Sequence, residues 1–268
     1  MIKTNYHTHS VFCDGNDTVF DMSQTAYEKG FSHLGFSGHS YMENARAETM
    51  DNQTLIKYYD QVNRCKETFD GKLNIYCGLE QDCFSLKSPI KFEYLIGSVH
   101  NVKKDGKLLF FDSGIAQTQT IIEQEYSGSY LAFAKDYFST VENVIDMTGA
   151  DIIGHIDLCS KFNERLNNSQ SEEYLEYAQK AVDKLLKTGA VFEINTGAMA
   201  RGYRTSPYPS IEILKMIYLG GGKIMINSDC HKKEFLDFGF DVAVDLAKKV
   251  GFDQTYIFTK DGFVAQKI

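Results

Sequence analysis

Six of the seven histidines in this chain stand where a run of apolar, β-forming residues ends, and carboxylates stand with them. His7 and His9 follow the run 2–6, His39 follows 34–38, His100 ends 94–99 and His155 ends 152–154. Asp229 and His231 close 223–228, and Glu80 closes 73–79. Imidazole and carboxylate are the side chains that hold borderline and hard divalent metals, so this placement reads as a site for several ions. Residues two apart on an extended strand share a face, so His7-x-His9 can chelate one ion. Asp229-x-His231 and Glu193-x-Asn195 repeat that spacing. One carboxylate at the Glu80 position could bridge two ions, and a pair about 3.5–4 Å apart can clamp the attacking and leaving oxygens of a displacement. His33 precedes its apolar run, has no acidic neighbour in register, and is left out of the set.

Something must carry those residues to one place. The pattern predicts strands at 2–6, 33–37, 73–79, 93–99, 151–154, 190–194, 223–227 and 255–259. Helical patterns lie between them at 20–30, 51–69, 116–146, 171–188, 209–219 and 238–250, the third broken near Gly128 and at Tyr137-Phe138. Tyr174, Tyr177, Ala178, Ala181, Val182, Leu185 and Leu186 form a stripe at helical spacing, which is a core face and not a site. Alternating strands and helices imply a parallel sheet, and about seven such units favour closure into an α/β barrel. Functional residues of such barrels gather at the carboxyl ends of the strands, where the candidate ligands fall. No GxGxxG or GxxxxGK[ST] loop occurs, which counts against a dinucleotide fold and a P-loop enzyme. Gly220-Gly221-Gly222 separates a helix from a strand and reads as a turn.

The 268 residues carry three prolines and no low-complexity stretch, so a single barrel domain over 1–268 is expected. The amino terminus runs directly into a strand, which predicts no signal peptide, and no apolar run approaches the ~18 residues that span a bilayer. Six cysteines without a CxxC pair suit reduced thiols in a cytoplasmic protein. Cys13 and Cys230 beside the candidate ligands read as small buried neighbours. The net charge of −8, without a basic run, argues against nucleic acid and membrane as partners. A small phosphate ester is a different matter, because three divalent ions would add about +6 at one spot. Nothing in the sequence sets an oligomeric state.

In order and spacing, His7-Thr8-His9-Ser10, the His39 segment, Gly78-Leu79-Glu80, Gly97-Ser98-Val99-His100, Gly154-His155-Ile156-Asp157, Glu193-Ile194-Asn195-Thr196 and Ser228-Asp229-Cys230-His231 resemble the polymerase-and-histidinol-phosphatase (PHP) superfamily. The motifs run from residue 7 to 231. Chain length, Gly154-His155-Ile156-Asp157-Leu158 and Tyr208-Pro209 look most like its stand-alone histidinol-phosphate phosphatases. The resemblance implies a distorted, TIM-like (β/α)7 barrel with three divalent ions, zinc, manganese or iron. It implies His7, His9, Glu80 and Asp229 on the first ion, Glu80, His100 and His155 on the second, and His39, His231 and Asp14 on the third. Asp14, Glu80 and Asp229 would be the catalytic carboxylates. Three departures stand out. Ser37-Gly38-His39 replaces a common Thr-Asp-His, Cys230 replaces a common Ala, and some relatives supply a His near Asp14, for which Asp17 is an alternative.

The implied reaction is hydrolysis of L-histidinol phosphate by a hydroxide bridging the ions. A phosphate site also needs a cation, and Lys161, Arg201 and Arg204 lie in strand-exit loops. Glu193 and Asn195 read as contacts to the substrate's amino group or ring, with support of a metal ligand as the alternative for Glu193. Two other readings fit the motifs: a phosphoesterase for nucleotides or short oligonucleotides, and a metal-binding module without turnover.

Overall fold

The computed structural model describes residues 2–43 and 49–268. Its strands are β1 (Thr4–Asn5), β2 (His33–Phe36), β3 (Asn74–Asp82), β4 (Tyr94–Ser98), β5 (Asn101–Lys104), β6 (Lys107–Phe110), β7 (Ile152–Ile153), β8 (Val191–Asn195), β9 (Lys223–Asn227), β10 (Gln254–Thr259) and β11 (Gly262–Lys267). Seven of them form one sheet in the order β1-β2-β3-β4-β7-β8-β9, and every pairing in it is parallel. Its edges meet through the parallel bridge Thr8 to Cys230, with His9 N donating to Cys230 O at 2.8 Å and Cys230 N donating to His7 O at 3.2 Å. Lower down, side chains replace the missing ladder: Asn227 Oδ1 accepts from Tyr6 N at 2.8 Å, and Asn5 Oδ1 from Ser228 N at 3.3 Å. The result is a nearly closed barrel of seven parallel strands: the alternation favoured closure, and the resemblance implied the (β/α)7 form.

Among the described residues, four helices start at a side-chain cap, from Thr18, Asp51, Ser129 and Ser171. Ser171 accepts from Tyr174 N to start Glu172–Leu186, whose buried face carries Tyr174, Ala178, Ala181, Val182 and Leu185. Each large apolar side chain buried in this way stabilises the fold by about 1.5–3 kcal/mol. The long 116–146 pattern resolves into Ile115–Glu125, Tyr130–Val141 and Val144–Thr148. Gly128, at φ 79°, makes the first break as expected. The second falls at Glu142-Asn143, because Tyr137 and Phe138 are almost wholly buried inside the middle helix.

Two hairpins escape the alternation. β5 and β6 pair antiparallel immediately after His100. β10, expected as one more strand of the sheet, pairs antiparallel with β11 and seals the amino-terminal mouth of the barrel. There Phe258 packs on Tyr76, Tyr94 and Tyr6 at ring separations of 5.3, 5.4 and 6.4 Å. Tyr94 fills the barrel axis, and its hydroxyl donates to Tyr6 O at 2.5 Å and Phe36 O at 3.0 Å. A Cβ on Gly78 would sit 2.3 Å from that ring, so the glycine two residues before Glu80 is a packing requirement. Among the described residues, no helix is long and apolar enough to cross a membrane.

Candidate metal centre

At the carboxyl-terminal mouth the strands deliver imidazoles around one buried carboxylate. β3 presents Tyr76, Gly78, Glu80 and Asp82 on one face, by the period of two. Glu80 divides five histidines between its oxygens. Oε2 faces His39 Nδ1 at 3.0 Å, His7 Nε2 at 3.3 Å and His9 Nε2 at 3.5 Å. Oε1 faces His155 Nε2 at 3.1 Å and His100 Nε2 at 3.4 Å, and accepts from Ser98 Oγ at 2.6 Å. A carboxylate arranged in this way can bridge two cations.

Asp229 Oδ1 lies 3.4 Å from His9 Nε2, 3.6 Å from His231 Nδ1 and 3.8 Å from His7 Nε2. It reaches them from a left-handed backbone at φ 48°, an uncommon conformation for a non-glycine residue. Asp14 completes the outer part of the cluster. Its Oδ2 is 2.9 Å from His231 Nε2 and 3.5 Å from His39 Nε2, and its Oδ1 is 3.3 Å from His9 Nδ1. Gly15 allows this turn, since a Cβ there would lie 2.5 Å from the backbone of His9 and Ser10. Asp17 is elsewhere, accepting from Lys233 N at 2.9 Å, so the structure brings Asp14 to the histidines and not Asp17.

A second layer aims the rings. Glu193 Oε1 accepts from His7 Nδ1 at 2.7 Å, which orients the ring and turns its Nε2 toward Glu80. The same carboxylate accepts from Asn227 Nδ2 (3.0 Å), Asn195 Nδ2 (2.9 Å) and His155 N (3.0 Å). Asn195 Nδ2 also reaches Asp229 Oδ2 at 3.3 Å. Glu193 and Asn195 are both buried, neither lines the cavity, and their polar atoms are engaged by these partners, a placement that suits the supporting role held open for Glu193. Asp82 does for His100 what Glu193 does for His7, with Oδ2 3.2 Å from Nδ1.

The electrostatics follow from packing acids against bases. Burial alone would lower His7, but Glu193, Glu80 and Asp229 outweigh it and hold the imidazole up at about 10. His100 is likewise pushed up to about 9 against its burial by Glu80 and Asp82. Burial would raise Glu80 and Asp229, yet the surrounding histidines, and Arg201 in the case of Asp229, hold both well below the carboxylate range.

The cluster fits metal ions on one further observation. His7 Nε2, His9 Nε2, Glu80 Oε2 and Asp14 Oδ1 are buried without a hydrogen-bond partner among the described residues, although all belong to this cluster. Buried polar atoms are normally satisfied, and a cation among them would satisfy these. Among the described residues, four overlapping sets offer donor atoms within 4.8 Å of one another: His9, Asp14, His39 and His231; His7, His155 and Asp229; His7, His9 and Glu80; His39, Glu80 and His100. All nine expected metal ligands are thus together in space.

The cluster opens into a cavity of about 500 Å³ that is also lined by Asp112, Lys161, Arg201 and Tyr203. Arg201 contacts Asp229 Oδ2 at 3.1 Å and His231 Nδ1 at 2.9 Å. Lys161 Nζ lies 2.6 Å from Asp112 Oδ1. Arg204, the third cation considered, faces away, with Asp157 Oδ2 at 3.9 Å and the Tyr208 ring at 4.4 Å. His33 stacks on Tyr76 at the start of β2, outside the cluster. Asp82, Ser98 and Asn227 were missed from sequence, although each lies two residues from a ligand and so on its face. Asp112 had no such signal.

A parallel barrel with this centre at its carboxyl-terminal mouth defines a class. A profile of the PHP domain family matches residues 5–197, and the chain belongs to that family. Its relatives include a "Probable histidinol-phosphatase" of Schizosaccharomyces pombe, 25% identical over 270 residues that cover 91% of this chain and 86% of the relative. The histidinol-phosphatase of Lactococcus lactis is 26% identical over 272 residues, 97% of this chain and 95% of the relative. Among solved structures, histidinol phosphate phosphatase of Lactococcus lactis, complexed with zinc, L-histidinol and phosphate, matches with TM-score 0.74 over 98% of this chain and 100% of that one. At 18% identity that likeness shows the fold.

Proposed function

We propose that this chain is a metal-dependent phosphomonoesterase that hydrolyses L-histidinol phosphate to L-histidinol and phosphate. The observation that carries the reading is the gathering of nine imidazole and carboxylate ligands, four of their inward atoms without a hydrogen bond among the described residues, seven of the nine lining a cavity walled by Lys161 and Arg201. The names of the relatives, and the zinc, L-histidinol and phosphate held by the Lactococcus protein, support the substrate. Six free cysteines support a reducing, cytoplasmic setting.

His7, His9, Glu80 and Asp229 would hold one ion, Glu80, His100 and His155 a second, and Asp14, His39 and His231 a third, with zinc, manganese and iron all suited to the donor set. Such ions, when bound, activate water and neutralise charge on the phosphoryl oxygens. Asp14, Glu80 and Asp229 serve as the catalytic carboxylates by fixing where those charges sit. Glu193 and Asp82 hold the Nδ1–H of His7 and His100, so each ring offers its Nε2. Arg201 and Lys161 complement the phosphate from the wall.

Purified protein given Mn²⁺ or Zn²⁺ should release phosphate from histidinol phosphate and lose that activity with chelator. Turnover of a nucleotide monophosphate with none of histidinol phosphate would refute the substrate and leave the metal centre standing. Metal bound without turnover of any ester in the panel would instead favour a binding module.

A further inference from the structure

Four carboxylates line the cavity among the described residues, and three of them, Asp14, Glu80 and Asp229, are spent on the histidine cluster. The fourth, Asp112, stands apart. It follows the β5–β6 hairpin, which leaves the centre directly after His100 and returns to its rim at Phe110. Lys161 pins it there, with Nζ 2.6 Å from Oδ1 and 3.3 Å from the backbone oxygen of Asp112. Its side chain is 26% exposed, against 9% for Lys161, so the acid and not the base is the more open to a ligand. Oδ2 has no partner among the described residues, and a carboxylate has room for about four donors.

For a purely anionic ligand this placement is unfavourable, because a carboxylate in the same cavity repels phosphate and weakens the pull of Lys161 on it. A zwitterion resolves the conflict. Its phosphate faces the metal cluster and Arg201, and a positive group within the same molecule faces Asp112. We propose that Asp112 is the specificity residue that receives the substrate's ammonium group, so that the enzyme selects phosphate esters of amino alcohols with the amine on the carbon beside the ester carbon. This rests on the phosphatase reading above and adds to it the basis of selection.

The test compares kcat/KM of the metal-loaded wild type and Asp112→Asn on two esters, histidinol phosphate and 3-(imidazol-4-yl)propyl phosphate, which lacks only the amine. The wild type should prefer the amine by about 10- to 100-fold, the worth of a hydrogen bond to a charged group. That preference should vanish in Asp112→Asn and return in part in Asp112→Glu. Each ratio is taken within one preparation, so partial misfolding or metal loss cancels. A wild type indifferent to the amine, or an Asp112→Asn enzyme slowed equally on both esters, overturns the assignment and leaves Asp112 only as the positioner of Lys161, with the phosphatase reading intact. A wild type that hydrolyses neither ester overturns both.

Discussion

The two mouths of this barrel are built from the same strands and do opposite things with their polar atoms. On β3, Tyr76 and Gly78 face one end while Glu80 and Asp82, on the same side of the strand, face the other. On β4 the sequence of faces is Tyr94, Ile96, then Ser98. At the amino-terminal mouth the tyrosine hydroxyls are satisfied: Tyr6 donates to Phe258 O at 2.7 Å and Tyr94 to two backbone carbonyls. At the carboxyl-terminal mouth, inward atoms of His7, His9, Glu80 and Asp14 are buried without hydrogen bonds, and Asp229 sits in a left-handed backbone. An unsatisfied buried polar group costs about 1–3 kcal/mol, so a site of this kind exists only on a scaffold that is stable elsewhere. The aromatic plug and the metal centre are thus separate functions of one set of strands.

That separation can be broken experimentally. The largest effect should come from Glu80→Gln, which removes the charge facing five imidazoles. Activity should fall at least about 10²–10³-fold, the scale for losing one group that stabilises developing charge. Bound metal, measured by elemental analysis, should fall with it while the circular dichroism spectrum stays native. Full activity in Glu80→Gln would refute the central role given to that carboxylate. Next come Glu193→Gln and Asp82→Asn, each replacing the charged acceptor behind one ring with a neutral amide. Metal affinity, titrated against a competing chelator, should weaken about 10–100-fold.

At the other mouth, Phe258→Ala should cost about 3 kcal/mol of unfolding free energy in denaturant, the low end for deleting a packed phenylalanine ring. Metal content per folded molecule should not change. If it did, the two ends would be coupled and the contrast would fail. The smallest effect concerns pH in metal-stripped protein. His7 and His100 rise to about 10 and 9 in the fold, so their contribution is complete below the unfolded value of about 6.5 and is lost as pH climbs through 9 to 10. Glu80 and Asp229 are held low, so theirs is present above about 4.5 and lost on acidification. Thermal unfolding of the stripped protein should therefore peak between about pH 4.5 and 6.5 on account of these groups. A stripped protein most stable at pH 9 would contradict the arrangement of charges. Metal uptake at neutral pH should also release protons, read by a pH indicator, since the ions must displace those that the histidines hold.

Much of the site was legible because strand ends carry their own grammar. His7, His9, His39, Glu80, His100, His155, Asp229 and His231 follow β-forming runs, and in a parallel barrel that alone places them at one end. Asp82 was legible in principle, two residues beyond Glu80, and was passed over because β3 continues to Asp82 where its apolar run ends at Leu79. Glu193 was legible as a residue of the site, with substrate contact and support of a metal ligand both open. Spacing shows that it shares a face with Asn195, not that His7 stands 2.7 Å away across the barrel. Asp14 and Asp17 could not be separated by type, and only the turn at Gly15 decided between them.

By itself, then, the sequence determined which residue types end each strand and hence the parallel barrel and the chemistry at its mouth. Period-two alternation and capping are local, and they can be read along the chain. Only the tertiary structure decided which oxygen of Glu80 faces which ring, that β10 leaves the sheet to plug the far end, and that Asp112 joins the cavity from a hairpin. Those are contacts between residues far apart in the chain, fixed by packing and closure, and no local pattern encodes them.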